Sequence, residues 1–151
     1  MKQSDIIICP MERSHVPQIA KLEAENFSAP WDEGSISSEL TNPLSYWLVA
    51  LDGECVCGYV GSQSVLGEAD MMNLAVASDY RRRGIASALL QTLQNALCAN
   101  GVYSLTLEVR ASNEAAIALY EAHGYAQVGR RPNYYFRPKE DALILRKEWS
   151  L

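Results

Sequence analysis

The residues best suited to chemistry form a short basic turn between a predicted strand and a predicted helix. Arg81, Arg82 and Arg83 precede Gly84, and an amphipathic segment begins directly after the glycine. Backbone N–H groups at the start of a helix have no intrahelical partner, and the helix dipole places partial positive charge there. Glycine has no Cβ atom, so a ligand can approach the backbone closely. The turn is therefore predicted to bind an anionic phosphate group, with a solvated basic turn as the alternative.

Two common phosphate motifs are missing from this turn. The segment lacks the Gly-Lys-Ser/Thr of a P-loop, so ATP hydrolysis is not indicated. It also lacks the three-glycine fingerprint of a dinucleotide-binding fold. The turn by itself does not distinguish among the remaining phosphate-bearing ligands.

Three further residues have side chains suited to catalysis or ligand binding. Glu108 lies near the C-terminal end of a predicted strand, where ligands gather in open parallel sheets. The alternating pattern of this strand, taken alone, favours a half-exposed glutamate paired with Arg110 on the same face. Tyr120 lies on the following predicted helix, where a core tyrosine with a satisfied hydroxyl is the simpler interpretation. Asn113 is most simply the N-cap of that helix.

Hydrophobic periodicity and turn signals predict the elements that position these residues. Strands are predicted over residues 5–9, 46–51, 55–64, 69–76, 102–109, 125–130 and 142–149. Helices are predicted after Ser14, after Asp32, after Gly84, and after Ser112 or Asn113. The segment 130–141 is predicted to be a long, aromatic, charged loop. Because the fourth strand, third helix and fifth strand form a strand–helix–strand unit, the fourth and fifth strands are expected to be parallel.

Length, charge and composition indicate a single α/β domain over residues 1–151. The net charge of −5 disfavours a general nucleic-acid binder and suits a basic partner. No apolar stretch reaches the roughly 18 residues of a membrane span, and the first five residues lack a signal-peptide core. The chain is therefore expected to be cytoplasmic. Its four cysteines and two histidines fall in no zinc spacing, so reduced structural thiols and no metal site are expected.

Several motifs resemble those of one enzyme family. The pattern Arg81-x-x-Gly84-x-Ala86 after a strand resembles the acetyl-coenzyme A motif of the GNAT N-acetyltransferases, Q/R-x-x-G-x-G/A. The run L-E-V-R-A-S-N-E-A-A-I-A-L-Y-E-A-H-G-Y resembles the RimI-type branch, the ribosomal-protein alanine N-acetyltransferases, as do F-S-A-P-W and R-R-P-N-Y-Y. The resemblance implies the GNAT fold: a mixed, mostly antiparallel seven-stranded sheet with four helices and splayed parallel strands four and five.

The resemblance also implies roles for single residues. Glu108 would be the general base and Tyr120 the general acid. The fourth strand would bind the pantetheine arm of acetyl-coenzyme A, and the basic turn its pyrophosphate. The residues implied for this cofactor are Leu74, Ala75, Val76, Arg82, Arg83, Gly84, Ile85, Ala86, Ser87 and Asn113. Trp31, Tyr134 and Tyr135 belong to segments expected to border the acceptor cleft, with plain loop packing as the alternative.

The implied activity is acetyl transfer from acetyl-coenzyme A, as cosubstrate, to the N-terminal α-amine of a protein. The acceptor implied is the N-terminal alanine of a small-subunit ribosomal protein, attacked directly in a ternary complex. A second interpretation keeps the fold and changes the acceptor to a protein lysine, a polyamine or a small molecule. A third is a coenzyme A-binding regulatory module without catalysis, against which the presence of both Glu108 and Tyr120 argues.

Overall fold

A computed structural model describes residues 5–151, which contain one seven-stranded sheet and four α-helices. The strands are β1 (Ile7–Pro10), β2 (Ser45–Asp52), β3 (Cys55–Val65), β4 (Glu68–Val76), β5 (Ser104–Arg110), β6 (Ala126–Tyr135) and β7 (Glu140–Glu148). The helices are α1 (Val16–Asn26), α2 (Glu33–Glu39), α3 (Ile85–Ala99) and α4 (Glu114–Ala122). Residues 1–4, on which the expectation of no signal peptide partly depends, lie outside the described residues.

The sheet has the order β1-β2-β3-β4-β5-β7-β6, and only β4 and β5 pair in parallel within residues 5–151. Their ladder consists of three pairs, which end at Asp70 opposite Thr106. Beyond this point the two strands separate, so the C-terminal half of β4 lacks a ladder partner on that side. Backbone N–H and C=O groups exposed in this way need other partners. The sheet, the four helices and the splayed parallel pair confirm the fold that the resemblance implies.

Helix α3 fixes the basic turn to the sheet through one apolar face. Its buried residues recur at four-residue steps, as expected for an amphipathic helix against a core: Ile85, Leu89, Leu93 and Leu97. The same core contains Leu105 and Leu107 of β5, which are buried as well. The start of α3 is therefore held at a constant position beside β4 and β5.

The first helix begins differently from the prediction. Ser14 is predicted as the N-cap, but it lies inside a 3-10 turn, Arg13–His15, and α1 starts at Val16. The turn is closed by the backbone, where His15 N donates to Glu12 O at 3.0 Å. In addition, His15 Nδ1 accepts a hydrogen bond from Glu12 N at 2.9 Å. The prediction of a Ser14 cap is wrong because this turn starts the helical segment without it.

The predicted loop over residues 130–141 is wrong for most of its length. Strand β6 continues to Tyr135 and β7 begins at Glu140, so only four residues connect them. Pro132 is tolerated because β6 is the outer strand and its register with β7 is irregular between Arg131 and Tyr135. Tyr134 and Tyr135 are consequently held on a strand.

A close contact between Gly61 and Trp47 supports the wall of the sheet nearest α1. The two residues are direct cross-strand partners in β3 and β2. Trp47 is 4% exposed, packs edge-on against Trp31 and stacks on Tyr59. Its Nε1 donates to Glu39 Oε1 at 3.1 Å. A Cβ atom at Gly61 would overlap the indole, which these contacts hold in place.

Gly61→Ala is expected to lower the free energy of unfolding by about 2 kcal/mol through overpacking. For a chain of this size the melting temperature should fall by roughly 4–8 °C in calorimetry. Gly34→Ala in α2 is the control, because its added Cβ would have no neighbour closer than 3.6 Å and alanine favours helix. An unchanged melting temperature for Gly61→Ala would contradict this packing.

Two further features of the described chain are the lengths of its helices and the state of its cysteines. No helix within residues 5–151 is both long and apolar enough to cross a membrane. All four cysteines are free thiols.

Candidate active site

A cavity of about 730 Å³, the large cavity, lies beside the splayed half of β4. Its walls come from the loop between α1 and α2, from β4, from β5, and from the end of β6 with the following turn. Four of the residues predicted for catalysis or acceptor binding line it together: Trp31, Glu108, Tyr134 and Tyr135. They come from three parts of the chain that only the tertiary fold brings together.

Glu108 has one carboxylate oxygen without a hydrogen-bond partner among residues 5–151. This oxygen, Oε2, is buried and forms an ion pair with Arg131 Nε at 2.5 Å. The pairing with Arg110 considered above is not formed, because Arg110 contacts Glu140 Oε1 at 3.2 Å. The carboxylate of Glu108 therefore lines the large cavity as one half of an ion pair with Arg131.

Tyr120 reaches the boundary of the large cavity from α4. Its side chain is buried, and its hydroxyl donates to Met71 Sδ at 3.7 Å. A thioether is a weak acceptor, so this bond is easily exchanged for a better one. Burial, and secondarily the nearby Tyr135, raises the pKa of Tyr120 to about 12. The hydroxyl therefore keeps its proton at neutral pH.

A groove runs from β4 to the start of α3 and is called the β4–α3 groove. It consists of two adjoining cavities of about 210 Å³ and 420 Å³, which share four lining residues: Val76, Arg81, Ala86 and Leu119. Nine of the ten residues predicted for the cofactor line it: Leu74, Ala75, Val76, Arg82, Gly84, Ile85, Ala86, Ser87 and Asn113. Tyr120 also lines this groove, so it connects the groove with the large cavity through Met71.

Arg83 is the predicted cofactor residue that lies outside the groove. Its Nη2 donates to Asp79 O at 3.2 Å, and its guanidinium lies over the ring of Tyr80. The side chain is thus engaged elsewhere, and only the backbone of Arg83 is left for a phosphate.

The start of α3 has the features of an anion site. Gly84 is the N-cap and has a left-handed backbone, with φ of +76°. Within residues 5–151, the first amide of the helix with a backbone acceptor is that of Ala88, which donates to Gly84 O. The amides of the three preceding residues thus face the groove without a backbone partner. Ser87 Oγ lies 2.7 Å from His123 Nε2, a contact that ties the helix start to α4.

Asn113 combines a structural role with a place in the groove. Its Oδ1 accepts a hydrogen bond from Ala116 N at 3.2 Å, which confirms it as the N-cap of α4. Only its amide N–H donors are therefore available to a ligand. Residues 5–151 contain no group of three or more His, Cys, Asp or Glu side chains placed to hold a metal ion.

Gly84→Val is expected to raise the dissociation constant for acetyl-coenzyme A by at least about tenfold, through loss of hydrogen bonds to a charged group. The added side chain would strain a left-handed residue and occupy the groove. Gly101→Val is the control, since Gly101 has a similar φ of +81° and equally open surroundings but lies at the far end of α3. Calorimetric titration measures the dissociation constant for acetyl-coenzyme A in both variants. Equal weakening by the two would contradict the phosphate site.

The sequence interpretation missed the buried carboxylate of Glu23, which supports the large cavity. Glu23 is fully buried and accepts hydrogen bonds from Trp31 N at 2.9 Å, from Asn73 Nδ2 and from the Tyr59 hydroxyl. Trp31 and Asn73 both line the cavity, so the carboxylate fixes two of its walls to each other. One signal was available: Glu23 is four residues after Ile19, on the apolar face of α1.

Comparisons with known proteins agree with this geometry. The Acetyltransferase (GNAT) family matches residues 16–125. The [ribosomal protein bS18]-alanine N-acetyltransferase of Escherichia coli is 37% identical over 140 residues, which are 91% of this chain and 94% of the relative. The N-alpha-acetyltransferase RimI of Mycobacterium tuberculosis is 33% identical over 150 residues, 95% of this chain and 92% of the relative.

A solved structure agrees with the fold in detail. The crystal structure of the ribosomal-protein-S18-alanine N-acetyltransferase from Escherichia coli superposes with a TM-score of 0.88 at 35% identity, covering 97% of this chain and 95% of that one. The splayed β4 and β5, the groove at the start of α3 and the family match all agree. The chain belongs to the GNAT family of acetyltransferases.

Proposed function

We propose that the protein transfers the acetyl group of acetyl-coenzyme A to the N-terminal alanine of ribosomal protein bS18. The observation that carries the proposal is the carboxylate of Glu108, which lines the large cavity next to a groove that ends at Tyr120. The names of the relatives at 33–37% identity support the α-amine and alanine as acceptor. The proposal includes a single domain over residues 1–151, acting in the cytoplasm without direct nucleic-acid contact.

The β4–α3 groove binds the donor in this proposal. The amides of Ile85, Ala86 and Ser87 hold the pyrophosphate at the positive end of the helix dipole. The pantetheine arm lies along Leu74, Ala75 and Val76, where β4 has separated from β5 and its backbone groups are free to pair with amides of the arm. The thioester then lies near Tyr120, at the junction with the large cavity.

The large cavity receives the acceptor amine. An α-amino group with a pKa near 8 is neutral in about a tenth of molecules at pH 7, whereas a lysine amine near 10.4 is neutral in about one in a few thousand. A carboxylate such as Glu108 can therefore deprotonate an α-ammonium more readily than a lysine ammonium. The aromatic rings of Trp31, Tyr134 and Tyr135 surround the entering peptide.

The reaction consists of attack, collapse and two proton movements. Glu108 takes one proton from the α-ammonium and later passes it to solvent. The neutral nitrogen attacks the thioester carbon, and the carbon–sulfur bond breaks as the tetrahedral intermediate collapses. The nitrogen loses its second proton, and the departing sulfur gains one. Tyr120 donates a hydrogen bond to that sulfur in place of Met71 Sδ, and it helps to deliver the proton.

Steady-state kinetics on matched peptides tests the acceptor. One set carries the N-terminal sequence of bS18 with a free α-amine and no lysine, and the other is blocked at the α-amine and carries free lysines. We expect acetylation of the first set with labelled acetyl-coenzyme A, and a kcat/KM at least about a hundredfold lower for the second. Labelling of the lysine set alone would overturn the proposal.

A further inference from the structure

Arg110, the last residue of β5, connects two segments that both line the large cavity. Its Nη2 donates to Ser28 Oγ, in the loop between α1 and α2, and to Phe136 O, in the turn between β6 and β7, both at 3.0 Å. Its Nη1 donates to Pro138 O at 2.8 Å and to Glu140 Oε1 at 3.2 Å. One guanidinium therefore holds groups from three elements.

The same guanidinium also fixes an aromatic wall of the cavity. Its Cζ lies 4.5 Å from the centre of the Tyr135 ring, a cation–π distance. Ser28 Oγ, while accepting from Arg110, donates to Phe136 O at 3.0 Å and so closes a small network between the two walls. Ser28, Tyr135 and Phe136 all line the large cavity, whereas none of them lines the β4–α3 groove.

We infer that Arg110 is a positioning residue for the acceptor: it presets the distance between the walls of the large cavity before a peptide binds. The inference depends on the proposed function, in which this cavity receives the acceptor. Without Arg110, the loop after α1 and the turn after β6 have to be ordered by the peptide itself, at the expense of its affinity. None of the residues that Arg110 contacts lines the β4–α3 groove, so acetyl-coenzyme A binding does not depend on this network.

The arrangement requires the shape of a guanidinium as well as its charge. Its planar fork directs two nitrogens toward separate acceptors and presents a flat face to Tyr135, which a lysine ammonium cannot do. Arg110→Lys keeps the positive charge near Glu108 and loses the fork. Arg110→Met keeps much of the side-chain length and loses both the positive charge and the fork. The comparison of these two variants therefore separates geometry from electrostatics.

The experiment measures the KM for the acceptor peptide, kcat, and the dissociation constant of acetyl-coenzyme A. We expect both Arg110 variants to raise the acceptor KM by about tenfold or more, the loss of positioning that misplaced walls produce. The kcat should stay within about threefold and the acetyl-coenzyme A constant within about twofold. Arg146→Met is the control, because the Arg146 side chain is 24% exposed against 23% for Arg110 and lines none of these cavities.

Three results would overturn the inference. The first is wild-type kinetics in Arg110→Lys, which would show that the positive charge of residue 110 is sufficient and that the guanidinium shape is not required. The second is an unchanged acceptor KM in both variants. The third is a parallel loss of acetyl-coenzyme A binding, which would indicate general loosening of the fold.

Ser28→Ala keeps the test valid if the Arg110 variants fold poorly. It removes the two hydrogen bonds of an exposed loop residue, and it should raise the acceptor KM about two- to threefold. Combined with Arg110→Met, it should add less than its single effect, because one of the two partners of Ser28 is already lost. Full additivity would contradict the network. The assays use whichever amine the wild-type enzyme acetylates, so failure of the bS18 acceptor is distinguishable from failure of this inference.

Discussion

Glu108→Gln is expected to slow acetyl transfer by about a hundredfold or more at neutral pH while leaving acetyl-coenzyme A binding nearly intact. Glutamine fills the same volume beside Arg131 but cannot accept the proton of the α-ammonium. The lost rate should return in part at higher pH, because solvent then supplies the neutral amine that Glu108 otherwise generates. Single-turnover rates from about pH 6 to 9 measure this recovery.

The control for this variant is Glu121→Gln, which removes a carboxylate from an exposed position of α4. It should leave both the rate and the pH profile unchanged. Full activity of Glu108→Gln at neutral pH would remove the assignment of the base. A rate that falls by the same factor at every pH would indicate that Glu108 orients the peptide and does not take its proton.

Tyr120→Phe is expected to slow turnover by up to about a hundredfold through loss of the hydrogen bond to the departing sulfur. Since burial raises the pKa of Tyr120 to about 12, the hydroxyl holds its proton throughout the range in which the enzyme is assayed. The reduction should therefore be the same from neutral pH to about pH 9, in contrast to that of Glu108→Gln. Steady-state kinetics across this range distinguishes the two residues.

Tyr125→Phe provides a close control for Tyr120. Tyr125 packs edge-on against Tyr120 at 5.9 Å and is equally buried, and its hydroxyl has no hydrogen-bond partner among residues 5–151. Removal of an unpaired buried hydroxyl should leave stability the same or slightly higher, with activity unchanged. Equal losses of activity in the two variants would indicate a packing effect and contradict a specific role for the Tyr120 hydroxyl.

Local patterns were sufficient for most of the fold. The four-residue repeat of α3, the strand pattern of β4 and the strand–helix–strand order predicted the parallel pair and the start of α3 after Gly84 correctly. Local patterns were insufficient to predict structure where pairing between distant strands decides it. The proline and charges of the segment 130–141 are typical of a loop, but pairing with β7 extends β6 through it.

The prediction of the candidate site residues depended on the family resemblance more than on hydrophobic periodicity. Strand alternation alone assigned Glu108 to an ion pair with Arg110, and helix periodicity assigned Tyr120 to the core. The contacts of Arg110, Arg131 and Glu23 join residues far apart in the chain, so no local pattern predicts them. Each becomes visible only when the loop after α1, the end of β5 and the end of β6 are brought together.

The most direct test of the account uses ribosomal protein bS18 itself with a free N-terminal alanine. The protein is incubated with the enzyme and acetyl-coenzyme A, and tandem mass spectrometry locates the modification. We expect one acetyl group on the α-amine of the alanine with the wild-type enzyme, and a strongly reduced yield at equal time with Glu108→Gln. Acetyl groups on lysine side chains with an unmodified α-amine, or equal yields from the two enzymes, would contradict it.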